Sequence, residues 1–566
     1  MADLVKSKAL IFDLQATGPG AQNHHAIEMG YSVFEFSKEN SEVVTHLLSL
    51  PLQAAISRRV AKLTGIDHEM LEKDGITREK AIKLLKKNSR KLPFVVHFAQ
   101  FETPFLADYY DHKLPLIICT HKVAKRLFPQ LPSKSLRSVS GHLGYPISEL
   151  KRSDHHVNAT LFIWQKMLPM LLDMGFKTYE EVLDWTKNTK PKKAKKAFSI
   201  TAEKRLGLPK ESGVYRMLDG NKSVLYVGKA KNLKTRVSSY FTGQKTKGSR
   251  LNEMLSQVKD VSVTKTISPC HAALLEADLI KAHHPPYNRA LKAQMDVAPC
   301  FSRGDFSVSP DPIESVFGPF RSERVLEEFM VLKEMVLDES FLLARSGVFF
   351  DEVNEEVLRE GILAFFMGKK KDAGVWRRLI LECLKESVAK AKRKKEEQGS
   401  KGDASASAEE EEEKVEVEVE GDEEEEDDDD EIEEDNILTA EDVTRYIRSF
   451  LAYFGRRIHR GRWLLRLSHC QIVVTHHKSG KADFKEYILV EEGKVSFFKD
   501  LKALKPLKKI ERKSKRALFD LETFDRLTVL YHELKRLLKE ENEIKIHFHD
   551  GSFLTKPIIA KFMFLE

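Results

Sequence analysis

The stretch GVYRMLDGNKSVLYVGKAKNLKTRVSSYF, from Gly213 to Phe241, sets two short β-rich runs, GVYRM and SVLYVG, on either side of a DGNK turn. A hairpin of this kind places Tyr215 and Tyr226 side by side. Gly228 breaks the second run. Leu233, Val237 and Phe241 then recur at helical spacing, with Arg236 on the adjoining face, where it can turn back toward the hairpin. Further on, CHAALLEADLIKAHHPPYN predicts a helix with Leu275 and Leu279 as its buried stripe, ending before Pro285. Glu276 falls beside Ala273 and Ile280 rather than on the outer face, and a carboxylate there needs a partner. Asp278 shares a side with Lys281 and reads as an ordinary solvated charge. Taken singly, hairpin tyrosines are usually packing residues and a helical glutamate is usually a surface charge. The joint order and spacing point instead to chemistry.

In sequence, GVY, LYVGKAKNLKTRV, LLEADLIK and PPYNRAL resemble the GIY-YIG nuclease domain, most closely the N-terminal domain of the excision-repair endonucleases UvrC and Cho. The resemblance runs over residues 208–292, within a domain placed at 206–292. Phosphodiester hydrolysis needs an activated water, charge stabilisation on the phosphoryl oxygens and help for the leaving oxyanion. The resemblance implies that Glu276 is the sole protein ligand of one Mg²⁺ or Mn²⁺, with water and the scissile phosphate filling the other positions, as suits magnesium. It makes Tyr226 the general base and Tyr215 its hydrogen-bonded neighbour or alternate. Lys229 and Arg236 supply the positive charge that a phenol with a pKa of about 10 requires, and Asn288 orients the polar groups. Lys231, Lys234, Lys245, Lys247 and Arg250 form a basic margin for phosphate contacts, which predicts salt-dependent binding.

Nearer the N-terminus, KALIFDLQATG is an apolar strand that delivers Asp13 to its end; HFAQFETPFLADYY, RLFPQLPSKSLRSVSGHLGY and SDHHVNATLFIW follow. Together these resemble the DnaQ-like (DEDD) proofreading exonucleases, whose fold is ribonuclease-H-like, and place such a domain at residues 7–175. Those enzymes hold two divalent ions with four carboxylates and use a histidine as base. Asp13 matches the first carboxylate, but Gln15 stands at the second, Glu102 where the family has aspartate, Asn158 at the last, and Ser153 at the histidine. Two of the four anions have become amides, so paired cations would be held weakly. The expectation is a degenerate exonuclease retained as a nucleic-acid-shaped groove or a docking surface. Activity would require Asp154, His155 or His156 to substitute after a shift of register.

At 566 residues the chain is long enough for several domains. Its 93 Lys and Arg against 86 Asp and Glu give a net of only +7. Glu409 to Asp435, however, holds 21 acidic residues and one lysine, a net of −20 that leaves +27 on the rest and suggests a polyanionic partner. The tract and its surroundings, residues 397–436, read as a disordered acidic linker acting as a solubilising spacer. NTKPKKAKKAF belongs to a basic linker, residues 176–205, and residues 293–396 resemble the helical region of UvrC-like proteins. Residues 437–566 read as an α+β module of unknown role, opened by an N-cap at Thr439 and carrying a leucine stripe from Leu518 to Leu538. Asp520 and Glu522 in that module read as solvent-face charges.

The overall class is multidomain α/β and α+β. No apolar run approaches the ~18 residues of a membrane span, and MADLVKSKALIFDL lacks the layout of a secretory signal, so a cytoplasmic location without membrane contact is expected. Five separated cysteines without a C-x-x-C pair read as buried or incidental thiols. No phosphate loop implies a nucleotide cofactor. The reading is a divalent-metal-dependent DNA endonuclease that nicks one strand in excision-type repair, with DNA and damage-recognition proteins as partners. Two other readings stand beside it: a bifunctional protein with an active 3′-5′ exonuclease, and a non-catalytic DNA-binding scaffold.

Overall fold

The computed structural model describes residues 2–38, 42–51, 54–89, 91–146, 150–191, 194, 197–242, 248–288, 300–302, 308–309, 316–320, 324–337, 355–367, 375–399, 439–477, 484–499, 520–540, 542–548 and 551–564. They form two compact units, Met1–Lys265 with His283–Asn288, and Thr266–Ala282 with Arg289–Glu566. Lys245, Lys247 and nearly all of the acidic linker lie outside the described residues.

The first unit opens with a mixed five-stranded sheet, β1 (Ala9–Ala16), β2 (Ala26–Phe34), β3 (Val43–Leu47), β4 (Phe94–Val96) and β5 (Ile117–Cys119), ordered β3-β2-β1-β4-β5. β1 runs antiparallel to β2 and parallel to β4, and as the central strand it is buried on both faces, which is why ALIFDL reads as an almost unbroken apolar run. The helix Ser153–Asp173 crosses this sheet so closely that a Cβ on Gly30 would lie 2.8 Å from the Cβ of Ser153. The basic linker expected from residue 176 starts later. Thr178 and Glu181 form a capping box that opens a helix, Tyr179–Asn188, and the fully buried Tyr179 stacks on Trp164 at 5.8 Å. That helix therefore belongs to the first core.

The second sheet of this unit is antiparallel: β6 (Gly213–Leu218) lies between β7 (Val224–Ala230) and β8 (Asp260–Lys265). Asp219 fixes the β6–β7 turn by accepting from the amides of Asn221 and Ser223. Asn232 caps the helix Leu233–Phe241, whose Leu233, Val237 and Phe241 pack into the core as predicted.

In the second unit, the helices Arg324–Leu337, Glu355–Phe366 and Val375–Gly399 share one core with the first half of the long helix Ala440–Leu467, where Phe329 stacks on Phe454 at 4.4 Å. The helical region and the C-terminal module are thus not separate bodies, because the module's first helix completes the helical core. The same long helix ends in a second core, through Trp463, Leu464 and Leu467. A small sheet forms from β9 (Cys300–Ser302), β10 (Val308–Ser309) and β11 (Val316–Phe317). The second core lies on an antiparallel sheet of β12 (Cys470–His476), β13 (Phe484–Glu491), β14 (Lys494–Phe498), β15 (Asn542–Phe548) and β16 (Phe553–Thr555), ordered β14-β13-β12-β15-β16. The helix Leu521–Lys539 lays its leucine stripe on this core. Asp520 is its N-cap rather than a free surface charge, accepting from the amide of Thr523. Cys119, Cys270, Cys383 and Cys470 are buried free thiols. No described helix is long and apolar enough to cross a membrane.

Candidate active site

Strand pairing sets Tyr215 opposite Gly228 and Met217 opposite Tyr226, so the two phenols lie diagonally on one face with ring centroids 6.1 Å apart. The Tyr215 ring lies over the backbone of its partner: a Cβ at residue 228 would run into its Cζ and hydroxyl, and would come within 2.9 Å of Tyr226 Cε1. Only glycine leaves that space. Gly228→Ala is expected to destabilise the domain by about 1–3 kcal/mol through overpacking, read as a lowered denaturant midpoint.

Sequence reasoning missed the centre of the cluster. Tyr240 places its hydroxyl 2.7 Å from that of Tyr215 and accepts from Arg236 Nη2 at 3.3 Å. The Arg236 guanidinium also lies over the Tyr240 ring, 5.1 Å from its centroid. The signal was the four-residue spacing of Arg236 and Tyr240, which shares a helical face. Tyr215 is fully buried, and burial first, then the neighbouring phenols Tyr240 and Tyr226, drive its pKa well above the ordinary phenol value. Burial works against the charge on Arg236, but Tyr215 and Tyr240 outweigh it, and its pKa is raised. Tyr226 is only half-buried and Lys229 lies three residues further along β7, also half-buried.

Asn288 serves the backbone. Its Oδ1 accepts from the amide of Val227 and its Nδ2 donates to the carbonyl of the same residue, both at 2.9 Å, which pins the segment after Pro285 to the strand beside Tyr226. Tyr287 next to it donates to Glu253 at 3.1 Å, and Glu253 also accepts from Ser135 of the first domain at 2.6 Å. Arg250 donates to the carbonyls of Pro286 and Tyr287, so this member of the basic margin is a tie within the fold. Lys231 is exposed and Lys234 half-buried at the start of the helix Leu233–Phe241.

Glu276 belongs to the second unit, on the helix Pro269–His283. The buried stripe of that helix is Cys270, Ala273, Leu274, Ala277 and Ile280, not Leu275 and Leu279, because Cys270 and Leu274 join a core supplied by residues 463–563. Glu276 is half-buried near Ala273 and Ile280. No group of three His, Cys, Asp or Glu gathers among the described residues. A half-buried carboxylate on a helix suits one hydrated magnesium, which keeps most of its waters, better than a cation that needs a full protein cage.

The exonuclease-like positions are arranged differently. Asp13 Oδ1 lies 3.1 Å from His156 Nδ1, and Gln15 donates to Asp13 Oδ2 at 3.0 Å. Glu102 is 3% exposed, and burial, reinforced by Asp13, pushes its carboxyl pKa well above the ordinary value. Asn158 is half-buried on the helix Ser153–Asp173. The Ser153 amide donates to the buried Glu28 at 2.8 Å, and Arg152 donates to the same carboxylate at 2.9 Å. Asp13 is thus already bonded to a histidine and an amide, and Gln15 and Asn158 bring no charge to the group.

Burial lowers the His156 pKa but the Asp13 carboxylate outweighs it, leaving the pKa raised above about 6.5. Its stabilising contribution is then fully present below about 6.5 and lost as pH rises through the raised native value. An NMR titration of the imidazole is expected to show this, and Asp13→Asn to drop the value below the ordinary one, since burial, the largest influence, then outweighs the bond to the Leu150 carbonyl.

The hairpin, its supporting helix and the phenol–guanidinium cluster define a GIY-YIG nuclease domain. Residues 211–289 match the family described as UvrC-like GIY-YIG domain. Among similar proteins, the UvrABC system protein C of Legionella pneumophila (strain Lens) is 38% identical over 153 residues, covering 25% of this chain and 25% of that protein. A Mycobacterium tuberculosis protein (strain CDC 1551 / Oshkosh), named as a candidate bifunctional exonuclease/endonuclease, is 26% identical over 296 residues, covering 50% of this chain and 44% of that protein. The GIY-YIG N-terminal endonuclease domain of UvrC from Thermotoga maritima, solved with magnesium, is 31% identical, with 15% of this chain and 93% of that chain covered and a TM-score of 0.14. The chain spans about a quarter of the length of the UvrABC system protein C relative from Legionella. It joins an exonuclease-like domain to a GIY-YIG domain of the UvrC type.

Proposed function

We propose that the chain is a divalent-metal-dependent endonuclease that nicks one DNA strand by phosphodiester hydrolysis in excision-type repair. The observation that carries this reading is the cluster of Tyr215, Tyr226, Tyr240 and Arg236 inside the matched domain. Tyr226, half-buried, takes the proton of the attacking water. Tyr215 is fully buried, with a raised pKa, and through Tyr240 it holds the cluster in place. Arg236 stays charged and stabilises the phosphoryl oxygens, and Lys229 adds positive charge on the same strand. Asn288 fixes the strand that bears Tyr226. Glu276 is the residue that would hold one Mg²⁺ or Mn²⁺, which supplies Lewis-acid activation of water and neutralises phosphate charge.

The exonuclease-like domain acts as a binding module without exonuclease activity; the bonded Asp13 and the amides Gln15 and Asn158 in place of carboxylates support this. Damage-recognition proteins bring the chain to its site, and Lys231 and Lys234 contact the DNA backbone. Supercoiled plasmid incubated with the purified chain and Mg²⁺ or Mn²⁺ tests both parts. Relaxed circles that disappear with EDTA support the endonuclease, and intact plasmid under every metal condition refutes it. On 3′-labelled single strands, degradation that Asp13→Ala removes would refute the silent exonuclease.

A further inference from the structure

The helix that carries Glu276 is held along one face by the C-terminal module. At its start, Ser268 accepts from the amide of His271 at 3.0 Å and donates to Glu486, a fully buried carboxylate on β13 that His476 of β12 also contacts at 3.0 Å. One and two turns on, Cys270 and Leu274 enter the apolar core beneath the same sheet. Beyond them, Asp278 accepts from Arg526 at 2.9 Å and Lys281 pairs with Asp525 at 2.7 Å, both partners lying on the helix Leu521–Lys539. The sequence reading of Asp278 as an ordinary solvated charge is corrected by the first of these pairs.

Turning about 100° per residue, an α-helix gathers positions 270, 274, 278 and 281 within a sector of about 80°. Glu276 then falls roughly 200° from the middle of that sector, on the reverse side. Five contacts of three kinds, a buried capping bond, two apolar side chains and two ion pairs, thus hold the helix and fix the rotation at which the carboxylate is presented.

We infer that residues 440–564 are a positioning module for the metal-ligand helix, with Arg526 and Asp525 as positioning residues that set the rotation of Glu276. This rests on the reading of Glu276 as the metal ligand. It gives the C-terminal module a role that its sequence does not announce, and it makes metal binding by the full chain depend on residues some 250 positions away from the ligand.

The test uses the full chain, with Mn²⁺ binding followed by loss of the free-ion EPR signal and hydrogen exchange followed over residues 276–283. Arg526→Asp is expected to speed exchange in that segment and weaken Mn²⁺ binding about tenfold, with Asp278→Arg added in the same chain restoring both. If Arg526→Asp fails to fold by circular dichroism, Asp278→Asn, which leaves the core untouched, reports the same two shifts in milder form. Unchanged exchange and unchanged Mn²⁺ affinity in a folded variant, or a folded charge-swapped pair that restores neither, would overturn the inference. Glu276→Ala separates the two levels: if it leaves Mn²⁺ affinity intact, the ligand reading fails. If it removes Mn²⁺ binding while Arg526→Asp changes nothing, only the positioning role fails.

Discussion

Glu276→Ala is expected to lower nicking of supercoiled DNA by roughly a thousand-fold while leaving DNA binding nearly unchanged. The size follows from the poverty of the site. Where three or four carboxylates share a cation, the loss of one leaves a weakened but charged cage. On the proposed reading one carboxylate carries the whole protein share, and no cluster of three His, Cys, Asp or Glu stands ready to replace it among the described residues. Glu276→Gln keeps the shape and one oxygen but removes the charge, and should fall almost as far, since the charge is what offsets the dehydration of magnesium. Raising Mg²⁺ should recover part of the loss in the Gln variant and little in the Ala variant. Gel-shift titrations in parallel separate lost chemistry from lost binding, and wild-type nicking by Glu276→Ala would remove this residue from the site.

Tyr226→Phe is expected to cost about 10²–10⁴-fold in the nicking rate, the range for removing a positioned general base, with little change in stability. Tyr215→Phe should divide the other way. Its hydroxyl is fully buried and paired with Tyr240, so deletion leaves a polar partner behind in the interior and costs about 1–3 kcal/mol of stability, with a smaller direct effect on rate. The contrast rests on burial: a fully buried phenol with a raised pKa is harder to ionise, whereas Tyr226 is only half-buried. Single-turnover rates set against denaturant midpoints for the two variants check the division. Equal losses of rate, with equal stability, would mean that the two hydroxyls act interchangeably.

The hairpin was legible because its signals are local. The turn residues, the two β-rich runs and the following helix all lie within thirty residues, and the structure forms them as read. What stayed hidden depends on distant partners. Leu275 and Leu279 look like a buried stripe until Cys270 and Leu274 are claimed by a core some two hundred residues further on. Tyr179 sits in a stretch of mixed charge, yet it stacks on Trp164 and moves the end of the first domain. Asn288 reads as orienting the polar groups of the site, and its partner, the Val227 backbone some sixty residues earlier, is not visible in the sequence. The exonuclease-like positions were partly legible. Gln15 and Asn158 announce missing charge, whereas the bond between His156 and Asp13 depends on a helix some 140 residues away.

The helix Ala440–Leu467 contributes Phe450 and Phe454 to one apolar cluster and Trp463 and Leu467 to the other. At 28 residues it is about 42 Å long, and neither cluster has a substitute for its share. The two clusters are therefore expected to unfold together, since a helix that frays at one end loses purchase on the cluster at the other.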